Sequence, residues 1–146
     1  MREFHKVLVA NRGEIACRVI GSARKAGYRT VAVYSEADVE APHVSLADEA
    51  VCIGAPAVGE SYLNADKLLW ACEVSGADAL HPGYGFLSEN AGFARACADA
   101  GVVFIGPSAD AIELMGSKRH SKLAMKEAGV PCIDGYQGEA QDLESL

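Results

Sequence analysis

The chain has 146 residues, half of them hydrophobic and 23% charged, with a net charge of -7. That is enough chain for one compact domain with its own core, and the acid excess argues against a nucleic-acid-binding surface, which needs a basic patch. No apolar run approaches the roughly 18 residues of a membrane span, and only Val7–Ala10 follow the polar start before Asn11, too few for a signal-peptide core.

The five cysteines, Cys17, Cys52, Cys72, Cys97 and Cys132, are odd in number and widely spaced, with no C-x-x-C pair. They read as small core residues in a reducing compartment, so the cytoplasm is expected, or the mitochondrial matrix in a eukaryote. His5, His43, His81 and His120 show no metal-ligand spacing, and no metal site is assigned.

Taken in order, residues 6–10 form a short β-rich run that Asn11-Arg12-Gly13 ends. Ile15, Ala16, Val19, Ile20, Ala23 and Ala26 then recur at helical spacing. Glu14 lies in the first turn and Arg24 and Lys25 in the last, as a helix dipole prefers, and Gly27 suits the C-terminal cap. Residues 30–34 are the next strand. The joints of this β-α-β opening are too short for anything but a parallel pair with a right-handed crossover. From Val39 to Leu46 the pattern is weak and predicts a loop with at most one helical turn. Residues 51–53 are a short strand. Asn64 can cap a helix to about Val74, closed by Gly76, with Leu68, Leu69, Ala71 and Cys72 facing in. A strand at 78–81, a helix at 91–100 burying Phe93, Ala94 and Cys97, and a strand at 102–105 follow. A short helix runs to Met115-Gly116, and Ser117 starts a last one, stopped by Gly129 and Pro131. The tail from Gly135 to Leu146 is polar and lacks a closing element. The alternation predicts an α/β fold: an open, mostly parallel, Rossmann-like sheet with helices on both faces.

Between the fourth strand and its helix lies His81-Pro82-Gly83-Tyr84-Gly85-Phe86-Leu87-Ser88-Glu89-Asn90. Strand-to-helix crossings at the carboxyl edge of a parallel sheet are where such folds bind ligands. Gly83 and Gly85 free the backbone on either side of Tyr84, which offers a flat face and a hydroxyl. A tight loop with an aromatic tucked into the core would show the same pattern. At the first β-α turn, Arg12 and Gly13 occupy the place of a phosphate loop. Glu36 follows about twenty residues on, near where a ribose acid would stand. The glycine fingerprint of a dinucleotide site is incomplete, and no P-loop is present. Arg12 serves equally well as a solvated or a structural charge. Gly116-Ser117-Lys118-Arg119-His120 is a basic cluster at a helix start, where free N–H groups favour anions, although such clusters are most often solvated surface.

The run from His81 to Asn90 resembles the signature of the N-terminal domain of biotin carboxylases, the ATP-grasp component of acyl-CoA, pyruvate and urea carboxylases. Val9-Ala10-Asn11-Arg12-Gly13-Glu14-Ile15-Ala16, Tyr62-Leu63-Asn64, and Phe104-Ile105-Gly106-Pro107 with Met115-Gly116 agree with it in order. The resemblance covers almost the whole chain. It implies a pre-ATP-grasp lobe over residues 1–114 and the start of the ATP-grasp domain over 115–146. It assigns Lys118 to the ATP phosphates and places Tyr84, with Gly83 and Gly85 beside it, at the border of the biotin site.

The implied reaction uses ATP, magnesium and bicarbonate to make carboxyphosphate, and passes the carboxyl group to N1′ of biotin on a carrier protein. The implied partners are the remainder of the biotin carboxylase chain, a biotin carboxyl carrier domain and a carboxyltransferase. The glycine-rich lid, the acids for magnesium, the bicarbonate base and the arginine that steadies the biotin enolate would all follow residue 146. The chain alone is therefore expected to be inactive, with no catalytic residue of its own. A homo-oligomer is implied by Arg18, which stands near the family's dimer contact. Gly21 and Lys25, replacing an arginine and a glutamate, argue against that mode of pairing. Two other readings compete: a non-catalytic docking or assembly module, and a Rossmann-type nicotinamide-binding domain.

Overall fold

The runs of β-branched and small apolar residues become five strands: β1 (Lys6–Val9), β2 (Arg29–Ser35), β3 (Glu49–Gly54), β4 (Ala79–His81) and β5 (Val103–Phe104). They form one sheet in the order β3-β2-β1-β4-β5, and every pairing is parallel. This is a computed structural model, and it describes residues 3–133. The expected tail over residues 135–146 lies outside the described residues.

Strand alternation divides the core. Leu8, Ala10, Val31, Val33, Ile53 and Leu80 face one way, against Leu68, Ala71 and Cys72 of α3 (Ala65–Ser75) and Phe93 and Cys97 of α4 (Ala91–Asp99). Val7, Val9, Ala32 and Ala79 face the other way, against Ala16 and Ile20 of α1 (Gly13–Lys25). Strands buried on both faces are characteristic of sheets that helices cover on two sides, and burying each such side chain contributes roughly 1.5–3 kcal/mol.

The caps follow local chemistry. The side chains of Asn64, Asn90 and Ser108 accept from the backbone N–H of Lys67, Phe93 and Ala111, starting α3, α4 and α5 (Ala109–Gly116). Ser117 both ends α5 and caps α6 (Lys118–Glu127), accepting from His120 N–H. A 3-10 turn at Glu36–Asp38 precedes the segment expected to be a loop with at most one helical turn, and that segment holds the five-residue α2 (Pro42–Leu46), little more than one turn. Pro42 presets its first turn. His43, fully buried with Nε2 3.1 Å from the Val33 carbonyl, pins it to the sheet. A tertiary contact makes this helix, which is why periodicity understates it.

The cysteines divide. Cys72 and Cys97 are core residues, and burial pushes their thiols up to about 12 and about 11. Cys52, on β3, is exposed, which corrects the reading of all five as core.

Candidate functional site

The chain leaves β1 toward β2 on one side and later returns to β4 on the other, so the crevice beyond the carboxyl ends of β1 and β4 is the topological switch point. Asn11, just past β1, is 3% exposed. Its Nδ2 donates to the Pro82 and Tyr84 carbonyls, 2.8 Å each, and its Oδ1 accepts from Arg12 N–H. Both amide hydrogens are thus spent on the loop after β4. Gly83 is required there twice over. Its φ of +68° suits glycine, and a Cβ would lie 2.7 Å from Asn11 Nδ2. His81 is half-buried and its Nδ1 accepts from Gly83 N–H. Burial lowers its pKa, so the ring is neutral at pH 7 with its proton on Nε2.

Phe86, with φ of +42°, holds a backbone conformation uncommon outside glycine. Its ring stacks on Tyr62 with centroids 5.2 Å apart. Between the Asn11 clamp and this stacked ring, Tyr84 remains 64% exposed. The loop is anchored at both ends and presents one aromatic outward.

Beneath it lies a polar cluster. Tyr62 has no exposed surface; its hydroxyl donates to Asp38 Oδ2 at 2.6 Å and accepts from Ser35 N–H at 3.1 Å. Asp38 also accepts from Ser35 Oγ and pairs with Arg12 at 3.1 Å. The Arg12 guanidinium sits 5.7 Å from the Tyr62 ring centroid. Partial burial pushes the Asp38 carboxyl up, but the Tyr62 and Ser35 hydrogen bonds and the Arg12 charge outweigh it, and the net direction is down. Burial, and then the bond to Asp38, push the Tyr62 phenol up to about 12.

The acid engaged near the end of β2 is therefore Asp38. Glu36, the residue that spacing singled out, is exposed. With Asp38 bound to Tyr62 and Ser35, its partner Arg12 serves here as a structural charge.

Lys118 is the exposed first residue of α6. Ser88 and Glu89 of the loop and Ile112, Met115 and Gly116 of α5 line a shallow concavity of about 280 Å³. This brings the far end of the loop beside the segment that leads into Lys118. Gly83, Tyr84 and Gly85 are thus together by chain and by fold, whereas Lys118 is near the loop only through α5. Among the described residues, no cluster of three or more His, Cys, Asp or Glu could hold a metal ion, and no helix is long and apolar enough to cross a membrane.

Sequence reasoning missed Asn11, Ser35, Asp38 and Tyr62 as parts of this end of the sheet. A usable signal existed for Asn11 alone: a short amide at the first β-α turn is a natural donor for carbonyls turned out by a Pro-Gly-x-Gly loop. The loop exposes a flat aromatic face and a hydroxyl at Tyr84. Beneath it, Tyr62 and Asp38 are already committed to internal hydrogen bonds.

The model of the biotin carboxylase N-terminal domain matches residues 3–112. The chain belongs to that family. It is 60% identical over 141 residues to the biotin carboxylase of Halalkalibacterium halodurans, covering 97% of this chain and 31% of that protein. It is 57% identical over its full length to the mitochondrial methylcrotonoyl-CoA carboxylase subunit alpha of Dictyostelium discoideum, covering 21% of that protein. A solved dimer of the biotin carboxylase domain of Hydrogenobacter thermophilus 2-oxoglutarate carboxylase, in complex with MgADP, ADP and bicarbonate, superposes with a TM-score of 0.92. It is 51% identical, and the match covers 99% of this chain and 32% of that one. The chain thus spans between a fifth and a third of these relatives. The α/β lobe with its parallel sheet is the biotin carboxylase N-terminal lobe.

Proposed function

We propose that these residues are the N-terminal lobe of a biotin carboxylase, which uses ATP and bicarbonate to carboxylate biotin on a carrier protein within a biotin-dependent carboxylase. The observation that carries the reading is Tyr84: an exposed aromatic on an anchored loop, at the switch point of a lobe that belongs to this family. A flat amphipathic ring suits the bicyclic ureido group of biotin, and Gly85, with open space where a Cβ would stand, leaves one side of the approach to it open. Lys118 carries an exposed positive charge at a helix start, which suits the phosphates of ATP. The described residues do not fit a magnesium ion, and its ligands are assigned to the rest of the protein.

Residues 115–146 are proposed as the start of the ATP-grasp domain. A carrier domain and a carboxyltransferase are the proposed partners. An apolar groove of about 440 Å³ along α1, lined by Ile15, Arg18, Val19, Tyr28 and Ile105 among others, supports a homo-oligomer or a further domain on that face. The bacterial and mitochondrial relatives support a place in the cytoplasm or matrix.

The test is made on the full-length protein that carries these residues. It should cleave ATP in the presence of bicarbonate and move labelled bicarbonate onto free biotin. Absence of both would overturn the reading. Residues 1–146 alone are expected to do neither, and micromolar ATP affinity in calorimetry would contradict the assignment of most of the pocket elsewhere.

A further inference from the structure

We propose that Asn11 is a positioning residue for biotin: acting through the backbone of the loop after β4, it fixes the direction in which Tyr84 is presented. The inference rests on the reading that Tyr84 borders the biotin site. Asn11 is buried, and its side chain reaches across the switch point to a segment about seventy residues away in sequence. It spends both amide hydrogens on carbonyls that bracket Gly83, those of Pro82 and Tyr84. The Tyr84 carbonyl is held directly, so the orientation of its peptide plane is set by this side chain.

The loop is shaped to receive it. Gly83 at positive φ leaves room that a Cβ would take, with Asn11 Nδ2, Cγ and Cβ all within 3.2 Å of that position. On the other side of Tyr84, Phe86 is fixed by its stack on Tyr62. Tyr84 itself has little packing to orient it, being largely exposed. Its direction must come from its backbone, and the backbone is held by Asn11. Aspartate is nearly the same shape but would set a carboxylate oxygen against two carbonyl oxygens, so it tests the donor and not the volume.

The experiment is a double-mutant cycle in the full-length carboxylase, with Asn11→Asp and Tyr84→Ala singly and together. The readouts are KM for free biotin and the rate of bicarbonate-dependent ATP cleavage. Asn11→Asp is expected to raise the biotin KM at least tenfold, because both hydrogen bonds to the loop are lost, while ATP cleavage stays within twofold. In the Tyr84→Ala background the same change should move KM less than twofold, because there is no ring left to orient. The proposal is overturned if Asn11→Asp leaves KM within twofold, if the two effects multiply, or if ATP cleavage falls in step, which would make Asn11 a general support of the lobe. If Tyr84→Ala alone leaves KM unchanged, the biotin-site reading fails, and this proposal with it. Should the aspartate variant not fold, Asn11→Ala removes the donor without adding a charge and carries the same cycle.

Discussion

Two tyrosines stand at the carboxyl end of the sheet, one on the loop that follows β4 and one beneath it. Tyr62 is wholly buried, its hydroxyl shared between Asp38 and the Ser35 backbone, its ring stacked on Phe86. Tyr84 is 64% exposed, on a backbone held by Asn11. The first spends its whole surface and its polar tip on the protein; the second keeps both for something outside. The difference lies in the neighbours and not in the residue type: a buried phenol must find partners or cost free energy, while an exposed one needs only a fixed backbone. Tyr62 should therefore answer to stability measurements, and Tyr84 to ligand measurements.

The largest effect is expected at Tyr62. Replacement by Ala removes a fully buried ring and should destabilise the lobe by about 3–5 kcal/mol in urea unfolding. Tyr62→Phe keeps the ring but strands the Ser35 N–H, and about 1–3 kcal/mol should be lost. A loss below about 0.5 kcal/mol for Tyr62→Phe would mean that the hydroxyl network is dispensable. Next comes Lys118→Ala in the full-length protein. A charge-assisted contact is worth about 1.5–3 kcal/mol, so ATP binding should weaken by roughly ten- to a hundredfold. An effect below twofold would refute the assignment.

Tyr84→Ala should change unfolding stability by less than about 0.5 kcal/mol, as exposed substitutions do, yet raise the KM for free biotin with ATP cleavage retained, the pattern of lost uniform binding. If its stability falls like that of Tyr62→Phe, the contrast between the two residues collapses.

The smallest effect concerns pH. The folded-state pKa of Asp38 lies below its unfolded value, so its contribution to stability is present above about pH 3.9 and is lost as pH falls through the lower folded value. Asp48, Glu49 and Asp78 shift the same way, so acid should weaken the lobe through all four. Asp38→Asn should make the loss of stability below about pH 4 shallower than in the wild type. An unchanged slope would show that Asp38 is equally stabilised in the unfolded chain.

How much of this could be read beforehand depends on the range of the interactions. The strands and the inward faces of α3 and α4 were legible, because Leu68, Ala71 and Cys72, or Phe93, Ala94 and Cys97, repeat at helical spacing within one element. The position of Tyr84 was legible from a strand, two glycines and a helix in sequence. The polar cluster was not. Arg12, Asp38 and Tyr62 are separated by whole elements, and only the sheet order brings them together; spacing pointed to Glu36 because it counts residues and cannot see which acid the turn directs inward. The Asn11 clamp is hidden for the same reason, since its partners lie in the loop after β4, about seventy residues away. The helix at 42–46 was understated because His43, an uncommon core residue, pins it to Val33 by a tertiary contact.

The strand order also has a consequence in time. β1 leaves a ribosome well before β4, but it occupies the middle of the sheet, and Val7 pairs with Ala79 on one flank. At roughly 5–20 residues per second of synthesis, β1 must wait several seconds for β4 to emerge, with β2 alone beside it until β3 extends that side. During that interval Val7, Leu8 and Val9 have one open edge, of the kind that invites pairing with another chain. A nascent-chain series should therefore show protease resistance rising steeply only after β5 has cleared the exit tunnel, with lengths that stop between β3 and β4 being those most readily bound by a holdase.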